Sequence, residues 1–399
     1  MKRSEFTPQA PGVLVPTSVM ERARIGADPV SVEGLAFLPD ELPPALDHSE
    51  LFGSLWGPAN RAMRAVGRLD GLDAGSPVLR PIWLREVRSS SAIENTVATA
   101  EEVALAASGL EFEHAAPREV HNNLRALEHG LTSPLPLSRR LLLELHALLM
   151  EGVRGGDLRP GEFRTGPVYI GNAARGFSAA RFVPPPGAEV DRLIGNLERF
   201  VNQPPEALGE LLTIGIAHYQ FEAIHPFRDG NGRLGRLLIS HSMCKHGLLR
   251  RPLVSVSSYI DAHRPRYYEL LLRVSTHGDW AAWLEFFVEA VGHEAADTAR
   301  RSGMLAALRS DYLHRLGDSR VTERMEPLVD ALFERPATTA ALVASSMEVT
   351  DATARRYIER FVEVGILAEV TGREYAKRYV APEIIELIER DLPEEQGGP

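Results

Sequence analysis

The sequence predicts a mainly α-helical fold: a helical core with one β-hairpin, plus a C-terminal winged helix-turn-helix module. Three observations carry this reading. Apolar residues recur at the 3.6-residue period through the central part of the chain. One stretch, 163–186, breaks that period and reads as two short strands around a turn. Beyond residue 320 the order is helix, helix, turn, helix, wing.

Residues 1–45 carry Pro8, Pro11, Pro16, Pro29, Pro39, Pro43 and Pro44 and read as an extended arm on the body. Helical patterns follow at 47–70, 78–88 and 91–108. Residues 117–130 open on a proline and end on Gly130, the usual asymmetry of a helix. In 138–153, Leu141, Leu142, Leu145, Leu148 and Leu149 form one stripe. The hairpin pairs 168–172 with 177–183 around a turn at 173–176, and Pro184, Pro185 and Pro186 end it. Helices resume at 187–201, 206–223, 232–246, 264–276 and 279–315. Gly317, Asp318 and Ser319 make a linker. The last module has helices at 325–335, 338–346 and 350–364, capped by Gly365. Its wing joins 366–370 to 376–380 through Thr371, Gly372 and Arg373. Three regions result: 1–110, 111–316 and 320–385. A chain ending near Gly317 is expected to stay folded, because the body has its own core.

The chain has 399 residues, 44% hydrophobic and 25% charged, the composition of an ordinary globular protein. No apolar stretch is as long as a membrane span, and the N-terminus lacks the apolar region of a signal peptide. The single cysteine, Cys244, excludes an internal disulfide and fits a cytoplasmic location. The net charge of −10 argues against nonspecific binding of nucleic acid or anionic membrane.

Residues 225–236 (HPFRDGNGRLGR) concentrate the chemistry. Gly230, Asn231 and Gly232 can turn backbone N–H groups toward an anion at the opening of a helix. Arg233 and Arg236, three apart, project from one side of its first turn. Asp229 is a hard oxygen ligand suited to Mg²⁺, which takes one or two carboxylates plus substrate phosphates. His225 can take a proton near neutral pH. In isolation it also reads as a buried core histidine.

This string resembles the signature of the Fic family, His-x-Phe-x-(Asp/Glu)-Gly-Asn-Gly-Arg-x-x-Arg. His225, Phe227, Asp229, Gly230, Asn231, Gly232, Arg233 and Arg236 match it. The resemblance implies a Fic-type helical core in which 168–183 is a flap holding the target by main-chain pairing. It implies transfer of AMP from ATP to a Ser, Thr or Tyr hydroxyl of a target protein or of the chain itself. His225 is then the base, Asp229 the Mg²⁺ ligand, and Gly230, Asn231, Gly232, Arg233 and Arg236 the phosphate site. Ser90, Glu94 and Asn95 match the family's inhibitory pattern, (Ser/Thr)-x-x-x-Glu-(Gly/Asn), in which the glutamate occupies the last arginine of the signature. Such members sometimes also remove AMP. A rival reading makes Ser91 and Glu94 a capping box.

Tyr259 and Tyr268 resemble a family segment near the adenine and otherwise read as core residues. His218, His241 and His246 have helical spacing without cysteines or paired carboxylates, which suits packing better than a metal. In the last module, Arg355, Arg356 and Arg360 would face DNA. Residues 320–380 hold nine Lys/Arg against ten Asp/Glu, so a homodimer or another protein contact suits that surface at least as well. The alternative function is a nucleotide-sensing, DNA-binding regulator built on the same fold. A further enzymatic variant transfers phosphate, phosphocholine or UMP.

Overall fold

The computed structural model describes residues 1–399 apart from 22–27, 29, 47, 73–79, 111–114, 154–157, 172–175, 318, 373–374 and 393–399. The expected turn residues 173–175, the linker's Asp318 and the wing's Arg373 lie outside the described residues.

The chain opens on a short 3-10 turn and two ten-residue strands, β1 (Gly12–Glu21) and β2 (Val30–Pro39). They pair antiparallel from Gly12↔Pro39 to Glu21↔Val30. The expected arm is therefore a hairpin. Its Val13, Val15, Val19 and Val32 are β-formers and recur at period two with Ala36 and Leu38, and the prolines sit where an edge strand tolerates them.

Helices α1 (His48–Asp70), α2 (Pro81–Ile93), α3 (Ala100–Ala107), α4 (Ala115–Thr132) and α5 (Arg139–Leu149) follow. The expected break near 89–90 is absent, and the chain breaks at 94–99 instead. The three serines that read as a helix start are buried inside α2. Ser91 Oγ donates back to Val87 O at 2.9 Å, which satisfies the hydroxyl within the helix. Asn95, in the left-handed region at φ 62, makes the stop.

The flap stretch holds less strand than expected. One bridge, Ile170↔Phe182, joins its sides, with a 3-10 turn at Phe177–Ala179. Then come α6 (Gly187–Asn202), α7 (Gly209–Ile224), α8 (Asn231–Lys245), α9 (Val256–Ala262), α10 (Arg264–His277) and α11 (Trp280–Leu316). Helix α7 is apolar on every side and runs through the centre, so its end is held rigidly.

The C-terminal elements are α12 (Ser319–Glu334), β3 (Ala337–Thr338), α13 (Ala340–Ser346), α14 (Asp351–Glu363), β4 (Ala368–Glu369), β5 (Tyr379–Val380) and α15 (Pro382–Glu389). Their strands form one sheet in the order β3-β5-β4. The expected boundary near 317 falls between α11 and α12, yet the core is continuous across it. Leu328, Phe333, Phe361, Ile384 and Ile388 belong to the same apolar cluster as Leu284 and Ile82. Arg301 of α11, 1% exposed, donates to the carbonyls of Leu387 and Arg390 at 2.6 and 2.7 Å, which caps α15. Arg88 of α2 pairs with Glu389 of α15. No described helix is long and apolar enough to cross a membrane.

Candidate active site

The loop from α7 to α8 is folded by its own side chains. Asn231 accepts from the N–H of Phe227 and donates to the carbonyl of the same residue, both at 2.9 Å. Phe227 is fully buried and stacks on His146 of α5, ring centroids 3.7 Å apart. Gly161 N–H donates to His146 Nδ1 at 2.9 Å, so Nε2 carries the proton and donates to Asp229 O at 3.0 Å. Burial holds the His146 pKa down to about 4, so the ring stays neutral. His146 thus fixes both the apolar anchor and the backbone of Asp229. Sequence reasoning missed it, because its only signal was a histidine on a leucine-rich stripe.

His225 caps α7 in the left-handed region, φ 50 and ψ 62. Its ring lines a cavity of about 690 Å³ with Glu94, Asp229, Gly232 and Arg236. Burial, and then the charge of Arg164, hold its pKa down to about 4, so the imidazole is unprotonated at neutral pH. Its Nδ1 is buried without a hydrogen-bond partner. Asp229 Oδ1 accepts from Gly230 N–H at 2.7 Å while its carboxylate borders the cavity. Among the described residues no group of three or more His, Cys, Asp or Glu gathers to cage a metal. A single carboxylate beside a helix N-terminus fits Mg²⁺ shared with phosphates and does not fit a protein-caged ion.

Glu94 stands at the C-terminal end of α2, so the capping-box reading of Ser91 and Glu94 does not hold. Its Oε1 accepts from Arg236 Nη2 at 2.9 Å. Arg236 also donates to Ser90 O at 2.8 Å and Ser90 Oγ at 3.1 Å. The Arg236 side chain is 1% exposed and that of Glu94 38%. Burial works against the guanidinium's charge, but Glu94 leads the groups that outweigh it, and its pKa is raised. A Cβ on Gly232 would lie 2.2 Å from Glu94 Oε1, so only glycine lets this carboxylate settle on the first turn of α8. Asn95 ends α2 where the left-handed backbone favours Gly or Asn, which gives that position of the motif a physical reason.

The two arginines diverge instead of sharing a side. Arg233 turns inward to Glu119 of α4 at 3.1 Å and to Met150 Sδ at 3.4 Å. It lies behind the first turn of α8 and does not line the cavity. Glu222, on α7, does line it, and burial pushes its carboxyl up to about 7. Tyr268 lines the cavity as well, whereas Tyr259 stacks on His263 at 4.2 Å. His218 bonds to Gly235 O at 3.1 Å and to the Tyr267 hydroxyl at 2.8 Å. His241 is buried and His246 caps α8.

The flap forms the cavity's far wall through Tyr169, Ile170, Gly171, Arg181 and Phe182. The N-terminal hairpin braces it from behind. Phe37 N–H donates to Val183 O at 2.9 Å, and Glu21 accepts from the N–H of Phe177. The Phe177 ring fills the space over Gly34, where a Cβ would meet it at 2.5 Å.

This fold and site define a helical protein whose central loop joins a neutral imidazole, a carboxylate and a helix N-terminus in one cavity. Residues 136–243 match the Fic/DOC family and residues 56–132 match the Fic/DOC family N-terminal region, so these segments form a Fic/DOC domain with its N-terminal part. The chain is 28% identical over 167 residues to "Protein adenylyltransferase Fic" of Drosophila erecta, covering 42% of this chain and 30% of that one. It is 30% identical over 149 residues to the protein of the same name from Aedes aegypti, covering 37% and 26%. The matched segments thus span under a third of those relatives. Among solved structures, a Fic family protein from Desulfovibrio desulfuricans G20 shares the fold, with a TM-score of 0.56 and 22% identity over 82% of this chain and 95% of that one. A Fic domain containing signaling protein from Bacteroides thetaiotaomicron VPI-5482 is similar over 63% of this chain and 97% of its own, with a TM-score of 0.50 and 18% identity.

Proposed function

We propose that the chain is a protein adenylyltransferase that moves AMP from ATP to a Ser, Thr or Tyr hydroxyl and is held off by Glu94. The observation that carries the reading is the Glu94–Arg236 pair, set across the first turn of α8 in the cavity that His225 faces. The triphosphate would lie on the N–H groups opening α8, where the helix dipole favours anions. Arg233, paired with Glu119, would support that turn from behind, and Arg236 would hold the γ-phosphate once Glu94 leaves. Asp229 would hold Mg²⁺, which supplies charge neutralisation of the phosphates when bound. The target hydroxyl, presented by the flap, attacks the α-phosphorus. The bond from that phosphorus to the bridging oxygen breaks, pyrophosphate leaves, and the hydroxyl proton passes to His225. Positioning and charge stabilisation are the protein's contribution. Glu94, pointed into the same cavity, suits a second role in removing AMP by orienting a water.

The similarity to relatives named protein adenylyltransferase supports the reaction class. The test compares wild type, Glu94→Gly and Glu94→Gly/Arg236→Ala with ATP labelled at the α- or γ-phosphate. Label from the α-position alone should enter protein, rise in Glu94→Gly and vanish in the double variant. Incorporation of γ-label would mean phosphate transfer, and operator binding without any labelling would favour the DNA-binding regulator.

A further inference from the structure

Arg164 lies between α5 and the flap, outside the signature and outside the inhibitory motif. It is 2% exposed, and burial pulls its guanidinium down to about 10. No carboxylate pairs with it among the described residues. Carbonyls surround it instead. Nε donates to His225 O at 2.7 Å, Nη2 to Ile224 O at 3.0 Å and to Pro185 O at 2.7 Å, and Nη1 to Gly166 O at 3.0 Å. Its own backbone N–H donates to Pro226 O at 2.9 Å.

A buried cation without a counter-ion is unfavourable. Two of its partners, Ile224 and His225, are carbonyls at the negative end of α7, which offsets part of that cost. The other two have a different meaning. Gly166 and Pro185 are the roots of the flap, one before and one after the bridge between Ile170 and Phe182. His225, meanwhile, holds a left-handed backbone that a β-carbon disfavours, so its surroundings must impose it.

We propose that Arg164 is a positioning residue that ties both roots of the flap to the backbone of His225. The segment that presents the target hydroxyl and the imidazole that takes its proton then share one reference point. The planar fork explains the residue type: its three nitrogens reach four carbonyls spread over both flap roots and the end of α7, whereas a lysine ammonium offers three donors on a single nitrogen. The inference rests on the AMP-transfer reading above.

The experiment uses the Glu94→Gly chain as parent and adds Arg164→Ala or Arg164→Lys. The kcat for AMP transfer should fall on the order of 10²-fold in Arg164→Ala, the size of a 1 Å misplacement. KM for ATP should stay within about two-fold, because the phosphate site on α8 is untouched. Guanidinium below denaturing concentrations should restore part of the rate to Arg164→Ala and none to Arg164→Lys. Amide exchange followed by mass spectrometry reads the link without any reaction. The amides within 166–171, 181–183 and 224–228 should exchange faster together, while α5 and α8 keep their protection. Unchanged kcat in a transferring parent overturns the proposal. So does faster exchange spread over α5 and α8, which would make Arg164 a general stabiliser of the fold. A parent that transfers no AMP defeats the activity reading instead, and amide exchange then decides the role of Arg164 alone.

Discussion

At the scale of single residues, the site works by keeping groups in unusual protonation states and unusual backbone conformations. His225 is the clearest case. Its pKa of about 4 leaves it free to accept a proton throughout the neutral range. The acidic limb of the transfer rate in Glu94→Gly should therefore fall below about pH 5 and not near the 6.5 of an ordinary histidine. A limb centred on 6.5 would show that the ring titrates as if exposed. His225→Ala should lower transfer by about 10²–10⁴-fold while ATP affinity, measured by calorimetry, changes little. Asp229→Ala should lose the Mg²⁺-dependent activity, which excess Mg²⁺ should not fully restore, and a normal metal dependence in the variant would leave Asp229 as the partner of Gly230 only. These residues were legible in the sequence because a short loop between two helices holds them all. His146 and Arg164 were not, since each acts through backbone carbonyls far away in sequence.

At the scale of elements, the sequence was readable where one period dominated and misleading where polar residues were buried. The central helices follow their apolar stripes closely. The serine run in α2 read as a helix start because exposed serines usually cap helices, yet these three pack against Val87, Arg236 and Ser258. The N-terminal hairpin was hidden by its prolines. Its function is to brace the flap, and that gives a test. Gly34→Val should push on Phe177 and loosen the flap, destabilising the protein by about 1–3 kcal/mol. The loss should fall on transfer to a protein target more than on ATP binding. Equal loss of both would mean that the hairpin supports the whole body and not the flap alone.

At the scale of the whole molecule, one core joins the body to the C-terminal elements. A chain ending near Gly317 loses Ile384 and Ile388 from that core and strips Arg301 of the carbonyls it caps. It should be insoluble or partly unfolded by circular dichroism, contrary to the sequence-based expectation. A folded, ATP-binding product would restore the idea of separate units. The pH dependence of stability is also a property of the whole. His121, His146, His218, His225, His241 and His246 all have lowered pKa values, chiefly through burial. The unfolded chain therefore binds more protons below about pH 6.5, and stability is lost as pH falls through that window. Glu86, Glu222 and Glu389, with raised pKa values, act in the opposite direction. The six histidines outnumber them, so the urea midpoint should drop between about pH 7 and 5, and a constant midpoint would refute the balance. The sequence suggested packing roles for His218, His225, His241 and His246 but gave no sign of His121 or His146, because burial of a histidine depends on which helices meet around it.

The Glu94–Arg236 pair is unequal: the guanidinium is sealed in and the carboxylate is more than a third exposed. Such a latch has one moving half, on the solvent side. Opening it leaves Arg236 in its bonds to Ser90 and asks only the carboxylate to swing away. On the proposed reading an incoming triphosphate would compete for the same guanidinium, so the nucleotide would itself be a key that fits better the more of it there is. Wild-type turnover should then keep climbing with ATP concentration after the Glu94→Gly chain has saturated, and the latch would behave as a gauge of nucleotide supply.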